Sequence, residues 1–252
     1  MLSKILKSFG YRLEKTAYDI YRSDNIQDPV FRELFDQCKP YTMTSIERMY
    51  ALYQAVRHIA RYNIEGCLVE CGVWRGGSAM LMALTLLKYG KANRPLYLYD
   101  TYEGMSAPTD KDVTIRGANA ADLLQREEKA NTASGVWCYA DLDDVRQNLA
   151  RTEYPSELLH FVKGKVEDTL PAQMPTEPIA LLRLDTDWYE STKHELEHLY
   201  PRLVANGPII IDDYGHWQGC QKAVDEYFTD RPVLFSRVDY TSIMGVKVND
   251  KC

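Results

Sequence analysis

The chain lacks the features that mark several broad classes of protein. Its 252 residues carry a net charge of −6 at pH 7, so it has no basic excess for non-specific binding to nucleic acid. No apolar run is long enough to span a bilayer, and no secretory segment stands at the start. Its six cysteines form no CxxC or other metal-ligand spacing. We therefore expect a cytoplasmic protein with reduced thiols and no nucleic-acid partner.

The chain also lacks an internal linker, a repeat and a low-complexity segment. We divide it into an N-terminal helical extension, residues 1–62, and one α/β domain, residues 63–252. The first nine residues form a short basic amphipathic stretch. Such a stretch can touch a membrane surface, but it is more typical of docking on the domain or on a neighbouring subunit. We expect a homo-oligomer, a dimer or tetramer, formed through the N-terminal helices.

Two nucleotide-binding signatures, GxGxxG and GxxxxGK[ST], are missing as well. In their place, a short predicted strand at Cys67–Glu70 runs into the glycine-rich segment Cys71–Ser78, and a predicted helix, Ala79–Leu87, follows. This order is typical of a nucleotide-type cofactor site. Glu70 would repel a diphosphate, whereas it suits a cationic or zwitterionic cofactor such as S-adenosylmethionine. The alternative is that the turn serves packing alone.

The second predicted strand, 95–100, ends in Asp100, where an acid is well placed to bind ribose hydroxyls. The tip of a third strand, 159–163, would flank the adenine. The predicted cofactor contacts are Glu70, Cys71, Gly72, Trp74, Gly76, Gly77, Ser78, Asp100, Thr101, Tyr102, Gly164, Lys165, Val166 and Asp185.

Two further apolar runs end in acid. Ile179–Leu184 leads to Asp185, and Pro208–Ile211 leads to Asp212 and Asp213. Near-continuous apolar runs are typical of parallel strands buried on both faces, and ligands bind beyond the carboxyl ends of such strands. The three aspartates can converge there as an all-oxygen site for Mg²⁺. The alternative is that they cap the helices that follow.

The remaining pattern completes an α/β fold. Helices are predicted at 190–200 and 218–228, and a closing strand pair at 233–236 and 242–248. We predict a doubly wound sheet, mostly parallel with an antiparallel C-terminal β-hairpin. The polar, irregular segment 101–134 is typical of an active-site lid.

Seven segments of the sequence resemble the TylF/MycF/NovP family of sugar O-methyltransferases (macrocin O-methyltransferase-like). These segments are Glu70–Ser78, Asp100–Gly104, Asp144–Arg146, Asp168–Pro171, Leu182–Thr192, Leu199–Pro201 and Ile211–Tyr214. The resemblance implies a class I methyltransferase fold and an enzyme that depends on S-adenosylmethionine and Mg²⁺. The expected acceptor is a sugar hydroxyl of a glycosylated natural product, a glycolipid or a polysaccharide precursor.

The expected chemistry assigns roles to particular side chains. The Mg²⁺ ligands would be Asp185, Asp212 and Asp213, and Asp185 or Asp187 would take the acceptor proton. Asp185 and Asp187 lie two residues apart, so in an extended chain they point to the same side. A further catalytic candidate is His216, as a base or a sugar hydrogen-bond donor. The predicted acceptor contacts are Tyr41, Met43, Trp188, Tyr214, His216 and Trp217.

Other functions share parts of this pattern. A nicotinamide-dependent oxidoreductase would use the same scaffold, but Glu70 and the missing GxGxxG argue against it. A Mg²⁺-dependent hydrolase would use the aspartates alone, and a non-enzymatic scaffold would bind the cofactor without an acceptor. Within the methyltransferases, a catechol or other phenol is the alternative acceptor. Departures from the family pattern at Thr186–Trp188 and Gly215–Gly219 put the particular acceptor in doubt.

Overall fold

A computed structural model of the chain describes residues 25–127, 129, 135–231 and 233–249. The basic stretch at residues 1–9, and the helices that the sequence predicts between residues 2 and 22, lie outside the described residues. None of the helices within those described ranges is both long and apolar enough to cross a membrane.

Within the described residues, α-helices Pro29–Cys38 and Ile46–Tyr62 precede the sheet. Helix α1, Pro29–Cys38, begins where the Asp28 carboxylate accepts hydrogen bonds from two backbone N–H groups of the first turn. Helix α2, Ile46–Tyr62, begins at Ser45, whose Oγ accepts from the Arg48 N–H at 3.2 Å. The apolar stripes of both helices are buried in the same core as β1 and its following helix. This part of the predicted extension therefore packs as an integral layer of the α/β domain.

The sheet has seven strands in the order β3-β2-β1-β4-β5-β7-β6. Neighbouring strands from β3 to β5 are parallel, and β7 pairs antiparallel with both β5 and β6. The predicted fold class is confirmed, including the antiparallel C-terminal pair. The strands are β1 Cys67–Cys71, β2 Leu96–Asp100, β3 Leu159–Lys163, β4 Ile179–Leu184, β5 Pro208–Ile211, β6 Ser236–Arg237 and β7 Ile243–Val246.

Helices cover both faces of this sheet, so its central strands are buried on both sides and read as apolar runs. Short helices at 120–125 and 166–169 were not predicted from the sequence, because too few residues carry their periodicity. After β1 the helices are α3 Gly77–Lys88, α4 Ala120–Gln125, α5 Leu142–Ala150, α6 Val166–Thr169, α7 Tyr189–His198 and α8 Gln218–Phe228.

The strand order reverses between β1 and β4, and this is where a crevice opens at the carboxyl edge. The two strand ends are held tightly together, with the Asp185 N–H donating to the Cys71 carbonyl at 2.8 Å. Gly72 has φ +83°, and a Cβ added to it would lie 1.9 Å from the Asp185 carbonyl oxygen. Only glycine therefore permits this approach of the two backbones.

We predict that Gly72→Ala lowers the free energy of unfolding by at least about 3 kcal/mol, which combines the strain of a positive φ with overpacking. Gly90→Ala is the matched control, because Gly90 also has a positive φ but would place its Cβ in open space. It should cost only about 1 kcal/mol. Urea denaturation of both variants measures the difference, and equal losses would contradict the close-approach argument.

Candidate active site

The crevice at the switch point has a volume of about 500 Å³ and is lined from both sides of the β1–β4 junction. The predicted residues that line it are Tyr41, Met43, Glu70, Gly72, Trp74, Gly77, Ser78, Asp100, Thr101, Gly164, Lys165, Val166, Asp185, Asp187, Asp212, Asp213, His216 and Trp217. The side that carries the predicted cofactor contacts is called the cofactor half, and the side that carries the predicted acceptor contacts is called the acceptor half.

Asp100 organises the cofactor half. Its Oδ2 accepts hydrogen bonds from the N–H groups of Val73 (2.7 Å) and Trp74 (3.1 Å), and its Oδ1 accepts from the Tyr102 N–H at 2.7 Å. Burial raises the pKa of Asp100, and these three N–H donors oppose that rise. The acid at the tip of β2 therefore holds the glycine-rich turn in shape, in addition to any contact with a ribose.

Some predicted residues do not line the crevice. Cys71 is buried under it, and the Tyr102 hydroxyl donates to the Leu98 carbonyl instead. In the acceptor half, Trp188 is buried and its Nε1 donates to the Ser106 carbonyl, while the Tyr214 hydroxyl donates to Asp225. Gly76 is also outside the lining, where its positive φ shapes the start of α3. Direct side-chain contact with a ligand is thus not supported for these residues.

Three carboxylates form the floor of the acceptor half. Asp185, Asp187 and Asp213 each offer an oxygen, and these oxygens lie within 4.8 Å of one another. Burial raises the pKa of all three, and so does repulsion between neighbouring carboxylates; that of Asp187 is raised to about 7. Asp213 Oδ2 is buried with no hydrogen-bond partner among the described residues. The cluster has the geometry and charge to hold a hard divalent cation.

The composition of this cluster differs from the predicted ligand set, which contained Asp212 in place of Asp187. Asp212 Oδ1 accepts from Arg183 Nη2 at 2.8 Å, and its Oδ2 pairs with Arg48 Nη1. Both Asp212 and Asp213 line the crevice, but Asp212 is paired with the two arginines, whereas Asp213 lies beside Asp185 and Asp187. Asp187 reaches the cluster through a turn with φ +67° at that residue.

Arg183 is a functional residue that the sequence analysis missed. Its side chain is 3% exposed, and its Nη1 lies 2.8 Å from both Glu70 Oε1 and Asp185 Oδ2. Its Nη2 also contacts Asp212, so one guanidinium pairs with three carboxylates at the ends of three adjacent strands. A signal was present: a single charge inside the apolar run Ile179–Leu184 cannot be buried without counter-charges.

Arg48 brings helix α2 to the same site. It pairs with Asp212, and its Nε lies 3.1 Å from Asp239 Oδ2. Ser45 Oγ donates to the same Asp239 oxygen at 2.7 Å. The segment 41–48 is thereby fixed over the crevice, and Tyr41 and Met43 lie in its wall.

His216 and Trp217 form the outer wall of the acceptor half. Trp217 Nε1 donates to Asp187 Oδ1 at 3.0 Å, so this indole holds a member of the acidic cluster. Burial, together with the charges of Arg48 and Arg116, lowers the pKa of His216, which keeps the imidazole neutral at pH 7. His194 lies outside the crevice, with its Nε2 at 3.1 Å from the Leu170 carbonyl oxygen.

The chain is similar to known proteins in both sequence and structure. Residues 13–245 match the family described as Macrocin-O-methyltransferase (TylF). The chain is 33% identical, over 90% of its length and 82% of the relative's, to the 8-demethyl-8-(2,3-dimethoxy-alpha-L-rhamnosyl)-tetracenomycin-C 4'-O-methyltransferase of Streptomyces olivaceus. The structure of the O-methyltransferase NovP matches with a TM-score of 0.69 and 30% identity, over 83% of each chain.

A more distant structure carries a cofactor product. The O-methyltransferase from Bacillus cereus, solved in complex with SAH (S-adenosylhomocysteine), matches with a TM-score of 0.52 and 13% identity, over 98% of this chain and 97% of that one. At this identity the likeness shows a shared fold alone.

The buried acids predict an unusual pH dependence of stability in the cation-free protein. Burial raises the pKa of Glu70 from 4.5 to about 7 against the opposing charge of Arg183. The folded state therefore holds a proton between these two pH values that the unfolded state releases, and stability falls as the pH rises through this window. The loss from Glu70 is on the order of 3 kcal/mol and is complete above about pH 7.

Urea denaturation between pH 5 and 8 checks this prediction. Glu70→Gln should flatten the slope, because the amide does not titrate. Glu103→Gln is the control, since Lys163 lowers the pKa of Glu103 and keeps its titration below the window. An unchanged slope in Glu70→Gln would be evidence against the raised pKa.

Proposed function

This chain belongs to the macrocin O-methyltransferase family, and from that premise we propose that it transfers a methyl group from S-adenosylmethionine to a sugar hydroxyl, with Mg²⁺ as the resident cation. The main support for this proposal is that the predicted cofactor residues and the acidic cluster line the same crevice. The glycine-rich turn with Glu70 lies on one side, and the cluster of Asp185, Asp187 and Asp213 lies on the other.

The cofactor half suits S-adenosylmethionine in shape and charge. Asp100 orders the backbone of the turn, and a Cβ on Gly77 would come within 2.5 Å of the Tyr41 carbonyl, so the turn and segment 41–48 pack closely. Glu70 Oε1 is paired with Arg183, whereas its Oε2 is buried without a hydrogen-bond partner in the described residues. That free oxygen supports binding of a cofactor with an ammonium group.

The acceptor half suits Mg²⁺. The unpartnered Asp213 Oδ2 and the mutual repulsion of the three carboxylates are both relieved by a divalent cation. We assign Asp185 and Asp213 as its ligands, with Asp187 beside them, and Asp212 as the counter-ion of Arg183 and Arg48. When bound, Mg²⁺ would supply Lewis-acid polarisation of the acceptor hydroxyl.

We assign Asp187 as the proton acceptor. Arg183 pairs with Asp185 at 2.8 Å and opposes the rise in its pKa that burial causes, whereas Asp187 forms no ion pair with a basic side chain within the described residues. Its pKa, raised to about 7, gives it more affinity for a proton than an ordinary aspartate has. The Trp217 indole fixes one of its oxygens and leaves the other to meet the acceptor hydroxyl.

A sugar acceptor is supported by the tetracenomycin relative, whose substrate name contains a rhamnosyl group. The catechol alternative remains an outcome of the test below. A cytoplasmic location and a homo-oligomer formed through the N-terminal helices stay predictions, to be checked by fractionation and by light scattering.

The proposal is tested in two steps. Calorimetric titration with S-adenosylhomocysteine should show binding to the purified chain. Incubation with S-adenosylmethionine, Mg²⁺ and a panel of 6-deoxyhexosyl glycosides and catechols should then give methylated glycosides, with turnover lost in excess EDTA and restored by Mg²⁺. Full activity in EDTA would exclude the cation, and methylation of the catechols alone would exclude the sugar.

We predict that Asp187→Asn lowers kcat by about 10²- to 10⁴-fold, the usual contribution of a general base, while binding of S-adenosylhomocysteine is unchanged. Asp225→Asn is the control, because Asp225 is exposed on α8. Its Oδ1 accepts a hydrogen bond from Tyr214, which does not line the crevice. His216→Gln tests His216 as the alternative base. If kcat falls in His216→Gln and not in Asp187→Asn, the neutral imidazole is the proton acceptor.

A further inference from the structure

We propose that Glu195 is a positioning residue which, through its hydrogen bond to Thr186, sets the two acids on either side of that threonine. Glu195 lies on α7 and is 0% exposed. Its Oε1 lies 2.9 Å from Thr186 Oγ1. This inference rests on the proposed function, because Asp185 and Asp187 are the ligand and the base assigned above.

Thr186 is held by α7 and its N-cap at its hydroxyl and at its carbonyl. Its hydroxyl meets Glu195, and its carbonyl accepts from Ser191 Oγ at 3.3 Å and from the Trp188 N–H at 2.7 Å. The residue between the two acids is thus bound to the first two turns of the helix that follows. Loss of the Thr186–Glu195 contact would therefore release the backbone segment that carries both carboxylates.

The turn needs such a restraint. Asp187 has φ +67°, a backbone conformation that is strained in a residue other than glycine. The carboxylates of Asp185 and Asp187 also repel each other across the cluster. The close packing of Gly72 fixes the Asp185 carbonyl, but it leaves the chain after Asp185 to be held by other contacts.

Glu195 is otherwise an unexplained buried acid. It forms no ion pair within the described residues, and its Oε2 has no hydrogen-bond partner there. Burying a carboxyl is unfavourable unless its hydrogen bonds are made. Burial also raises the pKa of Glu195 well above the usual range. A leucine would fill this position without that penalty, which indicates that the acid provides its polar contacts, to the Thr186 hydroxyl and the Cys71 thiol; the Thr186 contact is the one that lies between the two acids.

The test removes the Thr186–Glu195 hydrogen bond by a substitution of either partner. For each partner, a matched variant keeps the bond. Thr186→Val and Glu195→Leu lose it, whereas Thr186→Ser and Glu195→Gln retain it. Two quantities are measured: the affinity for Mn²⁺, by electron paramagnetic resonance of the free ion, and kcat with a glycoside acceptor. We expect the first pair to lose about 10- to 100-fold in both, as for partners that orient metal ligands, and the second pair to stay within about threefold of the wild type.

Two further readouts separate positioning from general destabilisation. Binding of S-adenosylhomocysteine should be unchanged in all four variants, because the bond lies in the acceptor half. The double variant Thr186→Val/Glu195→Leu should be no worse than the worse single variant, since both remove one bond. Thr152→Val is the control for a buried threonine far from the crevice, where Oγ1 donates to the Leu149 carbonyl; it should leave Mn²⁺ affinity and kcat unchanged.

The outcomes are distinguishable from those of the proposed function. Wild-type Mn²⁺ affinity and kcat in Thr186→Val would overturn the positioning role, as would additive losses in the double variant. If the wild type binds Mn²⁺ but methylates no glycoside, the proposed function fails, while the Mn²⁺ affinities still decide the role of Glu195. If the wild type methylates a glycoside without a cation, the kcat values of the variants decide the role of Glu195.

Discussion

The buried guanidinium of Arg183 is the contact on which the geometry of the crevice depends. It pairs with Glu70, Asp185 and Asp212, which come from the ends of three adjacent strands. Removing one partner of a buried ion pair typically costs about 3–5 kcal/mol, because the remaining charges lose their compensation. The same ion therefore stabilises the sheet at its switch point and keeps the cofactor-side acid and the acceptor-side acid at a fixed separation.

The chain of charges continues from Arg183 into the N-terminal helices. Asp212 is shared with Arg48, which in turn pairs with Asp239 in the connection before β7. One alternating series of ions thus joins the sheet, helix α2 and the C-terminal strand pair around the crevice. The division of the chain at residues 62 and 63 separates segments of sequence, but the described part of the extension shares the core and the site with the α/β domain.

The sequence predicted the parts of this site that depend on strand ends and apolar runs. The bounds of β3 and α8, and the convergence of Asp185 and Asp213, follow from periodicity and from the edge where parallel strands end. It did not predict the exchange of Asp212 for Asp187 in the cluster, because that depends on the positive-φ turn at Asp187 and on the two arginines that pair with Asp212. Arg183 and Glu195 were missed for a related reason: each acquires its role only from a partner distant in sequence.

The acidic cluster also explains why its members can have different roles. Carboxylates this close cannot all be ionised without compensation, and each obtains it from a different source. Asp185 has the Arg183 guanidinium, Asp187 has the neutral Trp217 N–H, and Asp213 has an oxygen without a hydrogen-bond partner in the described residues. The proton affinity of the three acids must therefore differ even before a ligand binds. The carboxylate with the weakest compensation that is still oriented by a hydrogen bond is Asp187, and this combination suits a base better than a permanent ligand.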